Sequence, residues 1–523
     1  MKSTAGTSRC ALLAALVAFG VAVETRAAQS QWVYPGPDGR LVYKTTPAGD
    51  RIMDFSFAGY MGGGVALPAI PVKQTVRPSG GEDDTATIQA AIDAVSAMPL
   101  EGAFRGAVLL APGVFPCSRT ITISASGIVL RGSGTEGASR STIKLTGRPH
   151  LAIAVRASGG GRGGPQGESG AAQTSIADAY VPSGSITFTV ADASGFAAGD
   201  EIIIRRPVTP AWIKFMQMDD LVRDGRPQTW LRAGGTTITE RRIASISGRT
   251  IALDIPLSDS FDAKYLNPPG TVVFKARPAN RASQVGVESL HIESPPQAIS
   301  HTQPHFTALR MNGEDCWARD LLIEETMNSV AVSGRRITLL RVTVNRKALH
   351  QGSSRPAEFS PTGGQVLMDR CSSTADNVWF SATGSGQSGP IVLLNCTFNG
   401  KSKAESHMRW STGILYDNCR VPDGSIELRN RGSMGSGHGW SMGWGVVWNC
   451  TARDYIVQNP PGAVNWMIGS TGQSKLAPRP FGAGPNLPQG AIDSPGTAVT
   501  PQSLYLSQLS ERLGKQAVKN IGY

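Results

Sequence analysis

The second half of the chain repeats a short pattern: a hydrophobic run, one polar residue, and then an apolar residue or a cysteine. Six copies end on Leu321, Val342, Cys371, Cys396, Cys419 and Cys450. The polar positions before them are Asp320, Arg341, Arg370, Asn395, Asn418 and Asn449. The intervals between these polar positions match the length of one coil of a β-solenoid. The strands of such a solenoid stay in register while its loops vary in length. The pattern predicts an all-β, right-handed parallel β-helix. A β-propeller would need longer repeats, and a leucine-rich solenoid would need a leucine ladder that is absent.

Helical spacing near the N-terminus predicts a capping element. In residues 82–98, Ile88, Ile92 and Val95 recur on one helical face behind capping residues at 83–85. Three short β-like runs follow within residues 107–130 and are separated by Pro and Gly. A helix followed by short strands suits a cap over the open end of a solenoid, which otherwise exposes unpaired backbone.

Changes in the sequence pattern elsewhere predict how the chain is divided into segments. Residues 156–174 are Gly-rich, and alternating runs between about 178 and 278 predict a small antiparallel β module inserted in the main fold. Its Trp212 and Trp230 either line a sugar cleft or fill the core of the module, and the core is favoured. We predict a signal peptide (1–27), an N-terminal extension (28–80), the cap and first coils (81–155), the inserted module (175–280), the main coils (281–475) and a tail with a short helix (476–523). The tail helix would bury Leu506, Leu509 and Leu513.

The first residues predict export. Lys2 and Arg9 precede an apolar run at residues 10–22, and small residues end in Ala27. The run is shorter than the roughly 20 residues that span a bilayer, so cleavage is favoured over a membrane anchor. We expect a secreted or periplasmic protein without a membrane anchor after cleavage.

The amino-acid composition limits the kinds of binding partner that we expect. The chain has 61 Gly, 34 Pro and only 17% charged residues, which is typical of turns and short strands. Its net charge of +11 favours an acidic partner. Lys and Arg do not alternate with stacking aromatics, so we expect an acidic polysaccharide and not a nucleic acid. We also expect a monomer.

The cysteines predict a buried ladder. Four of them, at 371, 396, 419 and 450, hold the same position in successive repeats, and Cys117 and Cys316 lie elsewhere in the exported part. An inward residue type that repeats at one position stacks on itself in neighbouring coils. Export permits disulfides, but thiols that act as small hydrophobic groups are the simpler interpretation. No zinc-binding spacing of cysteines is present.

Polar and aromatic residues concentrate between 405 and 470. His407 and Arg409 are two positions apart, as are Arg429 and Arg431, so each pair would share a strand face. The step from 407 to 429 equals the step from 409 to 431 and is close to the length of one coil. We therefore predict that adjacent coils place His407 beside Arg429 and Arg409 beside Arg431, about 5 Å apart. His438 lies in a Gly-rich loop whose backbone would approach another group closely.

This group of histidines and arginines suits β-elimination from a uronic acid. The reaction needs a cation for the carboxylate, a base for the C5 proton and an acid for the leaving O4. We predict His407 or His438 as the base and Arg409, Arg429 or Arg431 as the carboxylate-binding group. Tyr416 and the second histidine are candidate acids. Further substrate contacts are predicted for Asn430, Trp410, Trp440 and Trp466, because tryptophan faces stack on sugar rings.

Three alternatives stay open. The arginines could instead pair with Glu405, Glu427 and Asp417 on a solvated face. A glycoside hydrolase would need two carboxylates across the scissile bond, and the available ones form no tight paired motif. A non-catalytic glycan-binding or adhesive β-helix is the third. No cofactor is required, although calcium is possible at Asp320, Glu324 and Glu325.

The N-terminal segments DDTATIQAAIDAV, GAVLLAPGVF and GIVLRGSG resemble the start of the pectate-lyase-like β-helix superfamily. HMRWSTG, NRGSMGSGHGW, WNC and VQNPPGAVNW, within residues 401–470, resemble an exported bacterial branch of that superfamily. The matches cover about half of the chain. The resemblance implies the fold and action on a glycan, but the superfamily includes lyases, hydrolases, epimerases and phage tailspikes. The chain departs from pectate lyases because it lacks a clear cluster of calcium-binding aspartates.

Overall fold

The computed structural model describes residues 1–2, 28–157, 172–277 and 279–523. The predicted signal peptide and most of the Gly-rich stretch lie outside these ranges, so export stays a prediction of the sequence. None of the helices in the described ranges has the length and apolar character needed to cross a bilayer.

The predicted fold is confirmed: 43% of the chain is strand and 9% helix, arranged as a right-handed parallel β-helix. The coils form three faces, and six strands, five of them with seven or more residues, bend from one face to the next.

The first face contains Val72–Val76, Gly106–Leu110, Ile128–Gly132, parts of Gly286–Glu293, Thr307–Glu324 and Val330–Asn345, then Gly364–Asp369, Ser388–Leu394, Ser411–Asp417, Met442–Gly443, Val446–Trp448, Trp466–Ile468 and Ala491–Asp493. The second face contains Gly113–Cys117, Ser141–Leu145, the ends of the same three long strands, Ser372–Thr374, Thr397–Asn399 and the starts of Arg420–Leu428, Thr451–Val457 and Thr471–Ser474. The third face contains Ile121–Ile123, Leu151–Val155, the starts of Thr307–Glu324 and Val330–Asn345, Ala357–Pro361, Trp379–Ala382, Lys403–Glu405 and the ends of the last three long strands. Ala282–Ser283 lies at the turn between the third and first faces.

The repeated polar residue marks the corner between the first and second faces. All six polar positions have a φ between 48° and 54°, in the left-handed region. Asn adopts this region more readily than most residues, which accounts for Asn395, Asn418 and Asn449 in the later coils. Backbone N–H groups at these corners donate to the next coil, for example from Asn395 to the Asp417 carbonyl at 2.9 Å. The corner returns the chain inward, so the following residue is buried.

The cysteine ladder is such a series of buried corner residues. Cys371, Cys396, Cys419 and Cys450 are at most 1% exposed and pack in the central core. All six cysteines of the described residues are unpaired. Their thiols donate to backbone carbonyls of neighbouring coils, as Cys419 does to Leu393 at 3.3 Å.

The capping helix is present at Thr85–Ser96. It buries Ile88, Ile92 and Val95 against the strands of the first coils. The Asp83 carboxylate accepts hydrogen bonds from the Thr85 and Ser118 backbone N–H groups, which ties the start of the helix to the first coils.

The inserted module is antiparallel and lies against the outer side of the first face. Its six-stranded sheet consists of Gln173–Ser175, Thr187–Thr189, Glu201–Pro207, Thr236–Ser247, Thr250–Leu253 and Val272–Lys275. Two-stranded pairs join Tyr180–Val181 to Phe261–Asp262 and Val222–Arg223 to Arg226–Pro227, and the helices are Pro210–Phe215 and Ala263–Leu266. Trp212 and Trp230 are buried in a core that the module shares with the coils, as the core interpretation predicts.

The chain ends pack against the same side. Ala28–Gln29 pairs with Val499–Thr500, and Val33–Pro35 pairs with Leu41–Tyr43. The tail forms helices Leu504–Leu513 and Lys515–Asn520, and 3-10 turns lie at Tyr60–Gly62 and Gly137–Ser139. The predicted leucine stripe is wrong in part: Leu509 is buried, Leu506 is half-buried and Leu513 is exposed, because the helix buries the face formed by Leu504, Tyr505, Gln508 and Leu509.

Candidate functional site

The candidate site lies where the third face ends. The strand Lys403–Glu405 pairs with positions 425–427 of the next coil and places Glu405 beside Glu427, which confirms the predicted offset between these two coils. The predicted pairs beyond this point are not formed, because these strands end at Glu405 and Leu428. Arg409 has a φ of 54°, so strand alternation no longer decides where its side chain points.

Arg431 brings both predicted catalytic histidines together. Its Nη1 lies 3.0 Å from His407 Nδ1, 3.0 Å from His438 Nδ1 and 2.9 Å from Glu405 Oε1. The same nitrogen donates to the His407 carbonyl at 2.8 Å, and the guanidinium lies 4.9 Å from the Trp379 ring. The two imidazole centroids are 4.8 Å apart. Arg431 therefore contacts His407, not Arg409 as the spacing in the sequence predicted.

The Gly-rich loop holds His438 against this arginine. A Cβ at Gly435 would lie 2.2 Å from His438 Nε2, and Gly435 has a φ of 59°, so the loop needs glycine there. Burial and the neighbouring charges of Arg431, His407 and Arg409 lower the pKa of His438 to about 3. The imidazole is therefore neutral at working pH and a weak base, able to donate one hydrogen bond and to accept one.

Two of the predicted carboxylate-binding arginines already have carboxylate partners. Arg431 pairs with Glu405, and Arg429 Nη1 lies 3.3 Å from Glu427, which also contacts Lys403 at 2.7 Å. This part of the expected outward basic patch is therefore charge-compensated, as the ion-pair alternative stated for Glu405 and Glu427, but the pairs are buried and do not lie on a solvated face. Asp417 is not part of it, since it accepts hydrogen bonds from Ser503 and Tyr505.

Two other guanidinium groups have no acidic partner within the described ranges. Arg409 binds the Ser436 hydroxyl at 2.6 Å and its carbonyl at 3.0 Å. Arg355 lies 5.2 Å from the Trp379 ring, which also contacts Arg431 and His407. Both side chains are half-buried. They flank the histidine pair and leave positive charge there for an anionic ligand.

The predicted sugar-stacking residues are not brought to this cluster. Trp410 donates to Asp259 at 3.1 Å, Trp440 donates to the Met216 carbonyl at 3.0 Å, and Trp466 packs on Trp32. All three rings are at most 4% exposed, because the module and the chain ends cover the first face. Asn430 is also buried, and its side-chain oxygen accepts from the Gly432 N–H at 2.7 Å to shape the loop.

Sequence reasoning missed a second group of histidines beside the first. The His301 and His350 ring centroids are 5.4 Å apart, and the His301 pKa is lowered by burial and by the charges of His305 and His407. Burial and nearby cations, beginning with His301, lower the pKa of His350 to about 4. We call His301, His305, His350, His407 and His438 the histidine cluster; it holds five of the seven histidines of the chain. The skewed distribution of histidines was the available sequence signal.

One group of metal-ligand residues occurs in the described part of the chain. Ligand atoms of His291, Glu293 and Glu324 lie within 4.8 Å of one another on the second face. His291 Nε2 hydrogen-bonds to Glu324 at 2.9 Å, so the pair is also satisfied without an ion. The calcium set considered from the sequence does not converge: Asp320 pairs with Arg341, and Glu325 accepts from backbone N–H groups of residues 347 and 348.

No protein-family model matches the sequence, and no curated protein is similar to it. Among solved structures, the chain is similar to the gp54 tailspike of Acinetobacter baumannii bacteriophage AP22, solved with a capsular saccharide (12% identity, 75% of this chain, 61% of that chain, TM-score 0.37). It is also similar to the gp49 tailspike of Pseudomonas phage LKA1 (15% identity, 80% and 72%, TM-score 0.37) and to the Agl-KA catalytic domain (10% identity, 84% and 68%, TM-score 0.30). Similarity at this level assigns neither a family nor an activity, and the pectate-lyase-like resemblance stays a prediction of the sequence.

Proposed function

We propose that the protein is a polysaccharide lyase that cleaves a uronic-acid-containing glycan by β-elimination at the histidine cluster. One observation carries the proposal: two imidazoles meet at Arg431, and two guanidiniums without carboxylate partners among the described residues lie beside them. A base and a cation at adjacent positions are the two groups that abstraction of a proton next to a carboxylate needs.

His407 is the proposed base. Its Nδ1 lies 3.3 Å from Glu405, a buried carboxylate that only accepts hydrogen bonds when ionised. In the proposed tautomer the proton on Nδ1 faces Glu405, and Arg431 Nη1, 3.0 Å from Nδ1, directs its two hydrogens to the His407 carbonyl and to His438 Nδ1. The Nε2 lone pair is then left for the C5 proton of the sugar. The arrangement is a carboxylate–imidazole pair, in which the carboxylate orients the ring and stabilises the imidazolium that forms.

His438 has a different proposed role. One of the two Nη1 hydrogens of Arg431 is assigned to His438 Nδ1, 3.0 Å away, which places the lone pair there and the hydrogen on Nε2. The neutral imidazole is then a hydrogen-bond donor to a substrate oxygen. Its low pKa keeps it in this form throughout the pH range in which the base works.

Arg409 and Arg355 are the proposed carboxylate-binding groups, in place of Arg429 and Arg431. Pairing with the uronate lowers the energy of the negative charge that develops when the C5 proton leaves. The C5–H electrons form the C4–C5 double bond, the C4–O4 bond breaks, and the imidazolium of His407 returns its proton to O4. Tyr416 is excluded as the acid, because its ring is buried in the core and burial raises its pKa.

The hydrolase alternative is less well supported. Glu405 and Glu427 are neighbours across two coils, but each is held by cations, and Lys403 and Arg429 lower the pKa of Glu427 against the effect of burial. A glycosidase needs one carboxylic acid that keeps its proton at working pH. Glu358 has a raised pKa caused by burial, but it is fully buried against Arg346 and Ser329.

The test is an assay on a panel of uronic-acid polysaccharides that records both the ultraviolet absorbance of the unsaturated product and the release of reducing ends. We expect both signals together, and a loss of about 10²–10⁴-fold in His407→Ala. His150→Ala is the matched control, because the recorded contacts of its side chain are with Phe306 and Arg148 and not with His407, His438 or Arg431. Reducing ends without new absorbance would indicate a hydrolase, and binding without either signal a glycan-binding protein. Full lyase activity in His407→Ala would refute the assigned base.

A further inference from the structure

The metal-ligand group on the second face, His291, Glu293 and Glu324, combines a buried imidazole with two half-exposed carboxylates. The His291 side chain is 1% exposed and that of Glu324 is 39% exposed. One ligand atom from each residue lies within 4.8 Å of the other two. None of the three residues belongs to the histidine cluster, so the group does not depend on the proposed elimination.

Two neighbouring coils supply these side chains. His291 and Glu293 are two positions apart in one strand, so they point to the same side of it. Leu290 and Ile292 alternate with them and pack in the central core, which leaves the His291 and Glu293 side chains on the outer side. In the next coil, Glu324 is the register partner of Glu293. The coils therefore stack two carboxylates directly beside an imidazole.

The stacked carboxylates have no lysine or arginine partner among the described residues. The Glu293 carboxylate makes neither an ion pair nor a hydrogen bond there, and the only polar partner of the Glu324 carboxylate is His291. Lys144 is the register partner of Glu293 on the other side but forms no ion pair with it in the described structure. Like charges on facing positions of neighbouring strands repel each other. A divalent cation between the two carboxylates would remove this repulsion.

The His291 ring is held in the orientation that a metal ligand needs. Its Nδ1 lies 3.0 Å from the Thr142 hydroxyl, and its Nε2 lies 2.9 Å from the Glu324 carboxylate. A threonine hydroxyl can donate or accept, so it pairs with Nδ1 in either tautomer. When the hydrogen is on Nδ1, the Nε2 lone pair points between the carboxylates. Metal-binding histidines are usually held through the second ring nitrogen in this way.

The donor atoms favour a transition-metal ion over calcium. Zn²⁺ binds imidazole nitrogen and carboxylate oxygen at about 2.0–2.2 Å, so the ligand atoms of a tetrahedral site lie about 3.4 Å apart. The three ligand atoms reach this spacing with shifts of about 1 Å, which the half-exposed glutamates permit. Calcium prefers about six to eight oxygen ligands and has little affinity for imidazole.

We propose that His291, Glu293 and Glu324 bind one divalent transition-metal ion of the Zn²⁺ type. The ligands are the His291 Nε2 and one oxygen of each carboxylate, and water takes the fourth position on the solvent side. Gly286–Glu293 is the first long strand of the coils after the inserted module, and Thr307–Glu324 lies in the next coil. The ion would therefore stabilise the β-helix at the point where the chain returns to it from the module.

The test is isothermal titration calorimetry of the full chain with ZnCl₂ after treatment with a chelator and removal of the chelator, with CaCl₂ and MgCl₂ for comparison. We expect zinc to bind more tightly than calcium or magnesium. Glu293→Gln and Glu324→Gln should each weaken zinc binding by about tenfold or more. Thr142→Val removes the hydroxyl that orients the imidazole, keeps the shape of the side chain and should weaken binding by about tenfold. Zinc should also raise the urea midpoint of the unsubstituted protein more than that of the glutamine variants.

Glu325→Gln is the matched control and should keep the zinc affinity. It makes the same charge change one residue away, where the carboxylate accepts from backbone N–H groups. If Thr142→Val does not fold, as judged by its circular dichroism spectrum, the two glutamine variants at the half-exposed positions carry the test. Failure of zinc to bind, tighter binding of calcium, or unchanged affinity in both glutamine variants would overturn the proposal. So would an equal loss in Glu325→Gln, or a loss in His407→Ala, which would place the ion at the histidine cluster.

Discussion

Substitution of Arg431 by Met tests the ion pair on which the geometry of the histidine cluster depends. The Arg431 side chain is 5% exposed and that of Glu405 is 1% exposed, with 2.9 Å between Nη1 and Oε1. Removing one partner of a buried pair leaves the other charge without compensation, at a cost of about 3–5 kcal/mol. We expect Arg431→Met to lie near the lower end of this range, since His407 remains 3.3 Å from Glu405 and can take up a proton.

The double variant Arg431→Met, Glu405→Gln removes both charges and keeps most of the packing. We expect it to be more stable than the sum of the single variants by about 1–3 kcal/mol, the coupling typical of residues in direct contact. Arg429→Met is the matched control. It should cost less than about 1–2 kcal/mol, because Glu427 keeps Lys403 at 2.7 Å.

Urea denaturation followed by circular dichroism gives the free energies of unfolding, and the m-values show whether the variants unfold in the same way. Additive losses in the double variant would show that Arg431 and Glu405 do not stabilise each other. Equal losses in Arg431→Met and Arg429→Met would refute the special position of Arg431.

Acid should destabilise the fold, because His438 and His350 have pKa values lowered to about 3 and about 4 by burial and nearby cations. Both are neutral when folded, so the unfolded chain binds more protons and stability falls as pH drops from about 6.5 toward 4. His438→Gln should reduce this fall in urea midpoints, and an unchanged fall would contradict the shift. The contribution of Asp417 to stability changes with pH in the opposite direction, because burial raises its pKa to about 7. This contribution to the free energy of unfolding is present below the unfolded pKa of about 4 and is lost as pH rises through about 7. Asp417→Asn should therefore reduce the change in urea midpoint between these two pH values. The four aligned cysteines are buried and should react with a thiol reagent only after unfolding; rapid labelling of the folded protein would contradict the ladder.

The sequence by itself determined the coil architecture. Each coil must satisfy the same local conditions: an inward hydrophobic run, a residue that tolerates positive φ at the corner, and a small buried residue after it. These conditions recur at Asn395, Asn418 and Asn449 with the cysteines that follow them, so they are visible as a period. The pairing of Glu405 with Glu427 in the next coil follows from the same period.

Only the tertiary structure decided which side chains form the candidate site. The strands end at Glu405 and Leu428, and beyond them the loop from 431 to 439 sets the contacts, so Arg431 reaches His407 and His438. His301 and His350 come from loops of earlier coils, far away in the sequence. The module and the chain ends cover the first face and bury Trp410, Trp440 and Trp466. Local periodicity specifies strands and corners, but loop conformation and packing of an inserted module depend on contacts between distant residues, which no local pattern encodes.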